Sequence, residues 1–457
     1  MGMVQSAADS LSDVVGGHLL GHIRPNSCVA IRRFSVSESG GMINRASSTG
    51  NLIPQELIDL IVDHLRGDIS TLKSCCLAAR AFAHSAQAHV FSKIAILPPS
   101  LHGAGPSPCQ KLYKLLTSSP DLAPLVNELY IVIVGSETSF DYNSDGQYLV
   151  RPHAPWLMSG RSLALVLPLL KLKRIALVEK GPWEWNMRGE YGMNWNRMGR
   201  TLKSALTAVF SSPLLESVHL RGIVVDSPAQ LFSLFSETTS LKEMSLSRVY
   251  FNQRWDARDA WPESQLWRPR LRSLLVSDVG GDSLCRYFLN PRIDLNHLAS
   301  VTVATDLDEW KRKLVQVAVS SATEHLCLFR PLPDFLPSVL GANLRSIHYF
   351  TTDMFQLIAA AFAAYTRESC LETIVFEGPA RGVATRTEDA KVDSALVHLP
   401  NLKTVEVKAY FLWADMDMPF NMWSAQVQAS LPSLVRRGLL TLTQIQRADR
   451  DVHHGWE

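Results

Sequence analysis

The chain has no excess charge of either sign. Across its 457 residues, 45 Lys and Arg stand against 43 Asp and Glu, a formal net charge of +2. No broad field invites a nucleic-acid backbone or an anionic membrane surface, so neither is an expected partner. No run of about 18 apolar residues exists, which excludes a hydropathy-defined membrane-spanning helix. The first residues lack a basic region followed by an apolar core, so secretion is not expected. Cysteine is sparse and scattered at positions 28, 75, 76, 109, 285, 327 and 370, with no CxxC pair. An odd, unclustered set reads as reduced thiols of an intracellular protein, not a disulfide frame or a zinc site. Catalytic motifs are missing too: no GxSxG elbow, no GxxxxGK[ST] loop, no HExxH and no GxGxxG. The 14 histidines are dispersed. The expectation is a protein that is not an enzyme, with no catalytic residue, cofactor or metal.

What is present is apolar material for a large core: 46% of residues are hydrophobic and 19% are charged. Residues 1–50 are the exception, rich in Ser and Gly with short apolar runs, and read as disordered. Met1-Gly2 followed by Ser6 fits the myristoylation pattern, which fixes two residue types in six. His18 and His22 have helical i,i+4 spacing but no third ligand.

Order is predicted to begin at NLIPQELIDLIVDHL. Pro54 suits the first turn of a helix. Leu57, Ile58, Ile61 and Leu65 follow on one stripe. A second helix carries Leu72, Cys75, Cys76 and Ala79, and a third carries Phe82, Ala86, His89, Val90 and Phe91. Three short helices in about 45 residues make a marginal core, which favours a partner or a neighbouring domain.

This segment resembles an F-box, especially its fungal form. The resemblance rests on Ile53-Pro54, Glu56-Leu57, Leu60-Ile61, Leu65, Ser70-Thr71-Leu72, Cys75, Leu77, Arg80 and His89-Val90-Phe91. Ile53 stands where the family usually has Leu, and Phe82 where it often has Trp. The resemblance implies docking on a Skp adaptor, and through it on a cullin. By position it assigns Ile53, Pro54, Leu57, Ile58, Ile61, Leu65 and Leu72 to the docking face.

Beyond residue 120 a pattern repeats, apolar-x-x-apolar-x-apolar. It runs Val126/Leu129/Ile131, Leu172/Ile175/Leu177, Leu215/Val218/Leu220, Leu241/Met244/Leu246, Leu271/Leu274/Val276, Leu298/Val301/Val303, Thr323/Leu326/Leu328, Leu344/Ile347/Tyr349, Leu371/Ile374/Phe376 and Leu402/Val405/Val407. From Leu215 onward successive starts lie 21 to 31 residues apart, for example 241 − 215 = 26 and 402 − 371 = 31. A period of 20–30 residues resembles leucine-rich repeats. The last two apolar positions alternate around an outward residue, as one strand face requires. Helical stripes lie between: Leu202, Ala205, Leu206, Val209 and Phe210; Trp310, Leu314, Val317 and Ala318; Met354 to Tyr365; and Val392, Ala395 and Leu396. The Asn or Cys expected after each strand is missing, so the turns must satisfy their backbone in some other way. The fold class expected is α/β: a small three-helix F-box followed by an irregular leucine-rich-repeat solenoid with a parallel sheet. The expected boundaries are 1–50 disordered, 51–97 F-box, 98–120 linker, 121–425 repeats, and 426–457 terminal helix and tail.

Two insertions are rich in Trp, Tyr and Arg, the residue types enriched at interface hot spots. Residues 179–200 hold Trp183, Trp185 and Trp195, and the stretch from Phe251 to Trp267 holds Trp255 and Trp261. These five tryptophans are candidate contacts for a protein target; the alternative is a loop folded back over the solenoid edge. Asp415 and Asp417 form a bare D-x-D in a segment read as a terminal cap.

The F-box resemblance implies a substrate receptor of a Skp–cullin–F-box ubiquitin ligase, with the solenoid binding a target. A receptor of this kind acts by proximity and needs no catalytic residue. Adaptor binding without a cullin is the second reading. A non-ligase repeat scaffold is the third, in which Leu57, Ile58 and Ile61 are buried against residues near 94–135. The localisation expected is intracellular, open between cytoplasm and nucleus because no clear basic cluster exists.

Overall fold

The computed structural model describes residues 53–98, 106–133, 140–142, 148–150, 156–159, 161–179, 193–252, 270–277, 283–290, 293, 295–303, 309–320, 323–329, 343–350, 370–380, 386–411 and 419–445. It divides into two units. One holds the chain to Tyr130 with Leu169–Lys171; the other holds Ile131–Pro168 and everything from Leu172.

The first unit opens with three helices, α1 (Gln55–His64), α2 (Ile69–Ala78) and α3 (Arg80–Ser92). Pro54 is the cap residue of α1, with φ −52° and ψ 143°, and its carbonyl accepts from the N–H groups of Leu57 and Ile58. Asp68 caps α2 by accepting from Thr71 N–H at 3.0 Å and from its hydroxyl at 2.6 Å. Both bonds hold the Asp68 carboxyl below the usual range, the hydroxyl foremost. Strand β1 (Lys93–Ile96) follows α3 directly.

Residues 98–120, read as a linker, carry a further helix, α4 (Pro108–Ser118). Its start is a capping box: Ser107 N–H donates to Gln110 Oε1 at 3.0 Å and Gln110 N–H to Ser107 Oγ at 3.3 Å. Cys109, Leu112, Leu115 and Leu116 form its buried stripe. β2 (Glu128–Val132) follows.

The second unit begins with a short antiparallel pair, β3 (Phe140–Tyr142) and β4 (Tyr148–Val150), and two short helices, α5 (Trp156–Ser159) and α6 (Ser162–Val166). Its body is a parallel sheet with helices between strands. In chain order come β5 (Arg174–Val178), β6 (Met193–Asn194), α7 (Arg200–Phe210), β7 (Ser217–Val225), α8 (Pro228–Ser233), β8 (Glu243–Phe251), β9 (Ser273–Ser277) and α9 (Ser283–Phe288). Then follow β10 (Ser300–Val303), α10 (Glu309–Ser320), β11 (His325–Phe329), β12 (Ser346–Phe350), β13 (Thr373–Pro379) and α11 (Arg386–Val397). The chain closes with β14 (Thr404–Tyr410), α12 (Phe420–Ser430), α13 (Pro432–Arg436) and β15 (Leu440–Ile445). From β5 to β15 spatial order follows chain order, with β6 aligned on the second half of β7.

The register carries the sequence repeat. Ile175, Val218, Met244, Leu274, Val301, Leu326, Ile347, Ile374 and Val405 pair in one continuous row. Every member is 2% exposed or less, and the row two residues on, from Leu177 to Val407, is equally buried. An α/β fold with a parallel sheet and a repeating unit is therefore present, an arrangement compatible with a solenoid.

At the strand entries the backbone forms a ladder of its own. The Lys173 carbonyl accepts from Glu216 N–H at 2.7 Å and Ser217 N–H at 3.1 Å. The carbonyls of Glu216, Lys242, Arg272, Ala299, Glu324, Arg345 and Glu372 each accept from the same pair of N–H groups in the next unit, at 2.7 to 3.1 Å. Each stacking step thus satisfies its own strand entry without an Asn side chain.

Three sequence readings change here. The α10 stripe is turned: Leu314 and Ala318 are buried as expected, but so are Lys311, Val315 and Val319, while Val317 is exposed. The terminal segment from 426 adds α13 and a further strand, β15, paired to β14. The 3₁₀ turn Trp195–Arg197 is held by the Asn194 side chain and buries Trp195. The expected disorder of 1–50, Gly2, His18 and His22, the helix over 354–365 and Asp415/Asp417 lie outside the described residues.

Candidate functional site

Helix α1 presents three different faces. Ile58 and Val62 point inward, and both are buried. Gln55, Asp59 and Asp63, spaced i, i+4, i+8, form a polar seam with α3. Gln55 Nε2 donates to the Ala81 carbonyl at 3.0 Å, Ser85 Oγ donates to Asp59 Oδ1, and His89 Nε2 lies 2.7 Å from Asp63 Oδ1. Gln55 also donates to Asp59 at 2.8 Å. The bonds from Ser85 and Gln55, in that order, hold the Asp59 carboxyl below the usual range.

The third face is apolar and open. Ile53 is 54% exposed, Leu57 50%, Leu60 55% and Ile61 47%, and Pro54 is exposed beside them in the chain. Leu57, Leu60 and Ile61 recur at i, i+3, i+4, so their side chains lie together on one stripe. Ile69 and Leu77 on α2 are also exposed, at 36% and 49%. Single exposed aliphatics are ordinary, but several on one short helix are not. Gln55, Asp59 and Asp63 face α3 and Ile58 and Val62 face the core, which leaves this arc uncovered.

The expected docking residues therefore separate. Ile53, Pro54, Leu57 and Ile61 are exposed and Leu65 is half-buried. Ile58 and Leu72 are buried core residues. Leu60, Ile69 and Leu77 belong to the exposed set and were not assigned from sequence, although Leu60 and Leu77 stood among the residues that carried the resemblance.

Of the five tryptophans, Trp195 is 3% exposed, with its ring centroid 6.1 Å from that of Phe210. It is a core side chain and cannot meet a target. Trp183, Trp185, Trp255 and Trp261 lie outside the described residues.

The second surface is the sheet face opposite the helices. Its middle row includes His219, Ser245, Leu275, Thr302, Cys327, His348 and Glu406. His219 Nδ1 lies 2.6 Å from Ser245 Oγ. His348 Nε2 lies 3.2 Å from Glu377 Oε2, and its ring stacks on Phe350 with centroids 4.3 Å apart. Cys327 sits directly across from His348 in register. Burial first, and the Glu377 charge second, push the Cys327 thiol up to about 12. Among the described residues no group of three or more His, Cys, Asp or Glu side chains is placed to hold a metal ion. Among them, too, no helix is long and apolar enough to cross a membrane.

No protein-family model and no curated protein matches the chain.

Proposed function

We propose that the chain is the substrate-recognition subunit of a Skp–cullin–F-box ubiquitin ligase. In this reading α1 to α3 are an F-box whose open face docks on the Skp adaptor. The parallel-sheet unit is a degenerate leucine-rich-repeat solenoid that holds a protein target near the E2 thioester. Proximity then supplies the rate, with no catalytic group from this chain.

The observation that carries the reading is the open stripe of Ile53, Leu57, Leu60 and Ile61. A scaffold whose first helices only capped the solenoid would bury Leu57 and Ile61. A docking module leaves them uncovered until its partner arrives. Fully burying an aliphatic side chain stabilises by about 1.5–3 kcal/mol. Four that are each near half-exposed therefore offer roughly 3–6 kcal/mol of gross affinity before association costs.

The test is co-purification of the full chain with purified Skp adaptor and cullin. Recovery of both supports the ligase role. Recovery of the adaptor alone reduces the role to a Skp complex without ubiquitin transfer. Recovery of neither overturns the docking reading.

A further inference from the structure

Among the described residues β15 has β14 as its strand neighbour on one side and none on the other. Val405 N–H donates to the Leu439 carbonyl at 2.8 Å. In a parallel ladder, alternate residues turn both backbone groups to the same side. Thr441 and Thr443 therefore face β14, while Leu440, Leu442 and Gln444 aim their N–H and C=O groups at the open side. The strand reads LTLTQI, with no charge and no proline. Those are the devices that usually blunt a sheet edge.

The side chains point to the same gap. Leu440 and Leu442 stand in the rows of Val405 and Val407, on the helix-covered face of the sheet. Val405 and Val407 are fully buried, whereas Leu440 and Leu442 are half-buried, and Val435 on the preceding α13 is 42% exposed. Terminal units of stacked repeats ordinarily carry a polar outer face; this one presents aliphatics and open backbone groups.

We propose that β15 is a dimerisation edge, through which two copies of this chain pair antiparallel about a two-fold axis centred on Leu442. The occupant must be an uncharged extended strand, with backbone groups free at alternate residues and two aliphatics spaced i, i+2 on one face. A second β15 meets each requirement. Centred on Leu442, the pairing sets Leu442 against its own counterpart and Leu440 against the second copy's Gln444. It joins the open N–H and C=O groups and lays both Leu440/Leu442 pairs on the same face. Such an isologous contact closes after two copies instead of propagating.

The test is sedimentation equilibrium of the full chain over a concentration series reaching about 100 μM, beside Leu442→Lys and Gln444→Pro. The Gln444 N–H faces the open side, so proline there removes a donor from the new interface and none from the β14 ladder. The expected result is a reversible dimer for the native chain and at least tenfold weaker association for both variants, with unchanged circular dichroism. A native chain that stays monomeric throughout, or forms open-ended aggregates, overturns the proposal. So do folded variants that dimerise like the native chain. If Leu442→Lys fails to fold, Gln444→Pro decides. Neither outcome bears on adaptor docking, which uses α1.

Discussion

Replacing Gly222 with alanine probes the stacking of β5, β7 and β8. The register between β7 and β8 passes from Arg221↔Ser247 to Ile223↔Val249, leaving Gly222 and Arg248 facing each other as a matched kink. Both have positive φ, 72° and 52°. A Cβ at Gly222 would lie 2.1 Å from Glu179 Oε2 and 2.4 Å from Glu179 Cβ. Glu179 is 3% exposed and its N–H donates to the Arg221 carbonyl at 3.1 Å, so neither its backbone nor its carboxylate has open space to move into. The left-handed conformation costs an L-residue about 1–2 kcal/mol, and overpacking a filled site costs about 1–3 kcal/mol more. The sum, roughly 2–5 kcal/mol, is a large part of an ordinary folding stability. Gly438→Ala is the internal control: φ is 67° but nothing lies within 4 Å of its Cβ, so it carries the backbone cost alone. By differential scanning calorimetry, Gly222→Ala should lower the Tm by about 3 °C or more, and clearly more than Gly438→Ala. Combining Gly222→Ala with Glu179→Ala should cost less than the sum of the two singles. Equal Tm losses for the two glycine variants, or strict additivity with Glu179→Ala, would refute the steric argument.

Other outcomes follow from the same geometry. Asp393 is buried on α11, and its two carboxylate oxygens accept from Ser433 N–H at 2.9 Å and Leu434 N–H at 3.0 Å, capping α13 from a distant element. Asp393→Ala should cost about 1–3 kcal/mol in urea denaturation, with Asp393→Asn recovering part of it. Phe232 stacks on Tyr287 with centroids 3.7 Å apart and is fully buried, so Phe232→Ala should cost about 3–5 kcal/mol by the same assay. Burial pushes the Cys109 thiol, like that of Cys327, up to about 12, while Cys370 is exposed. Iodoacetamide at pH 8 followed by peptide mapping should label Cys370 in the folded chain and leave Cys109 and Cys327 unmodified until urea is added. Lys403 donates to Glu372 at 2.6 Å and holds its carboxyl below the usual range. A depressed folded value stabilises above the unfolded value and is lost as pH falls through it. Acid titration of stability should therefore be less steep in Lys403→Met than in the native chain.

The repeat was legible because its information is one-dimensional. Each triplet, such as Leu241/Met244/Leu246, buries its own apolar positions, and stacking leaves the order unchanged. Thr323 breaks the apolar rule yet holds its place, buried, with its hydroxyl donating to the Leu298 carbonyl at 3.0 Å and the Ala318 carbonyl at 2.8 Å. The position therefore tolerates a hydroxyl because the Leu298 carbonyl of the preceding repeat and the Ala318 carbonyl of α10 lie within reach. Less legible was which arc of a helix meets what. Leu57, Ile58 and Ile61 share one stripe in sequence, and only packing separates buried Ile58 from its exposed neighbours. The same ambiguity turned the α10 stripe and hid Trp195, which sits buried in a turn capped by Asn194. The charged column Glu324, Arg345, Glu372 and Lys403 was invisible for a different reason. Its members lie 21 to 31 residues apart (345 − 324 = 21, 403 − 372 = 31) and become neighbours, at 2.6 to 4.0 Å, through the register of the stacked strands.

The central claim is that the open face of α1 is a docking surface for the Skp adaptor. Isothermal titration of purified adaptor into the full chain, beside Leu57→Asp/Ile61→Asp, tests it most directly. These two side chains are 50% and 47% exposed, so the substitution should leave the fold intact by circular dichroism. Losing two aliphatic contacts and placing charge against an apolar partner should cost at least about 3 kcal/mol, a weakening of more than a hundredfold. The account predicts one-to-one binding for the native chain and none measurable for the folded variant. Equal affinities for both, or no binding by either, would contradict it.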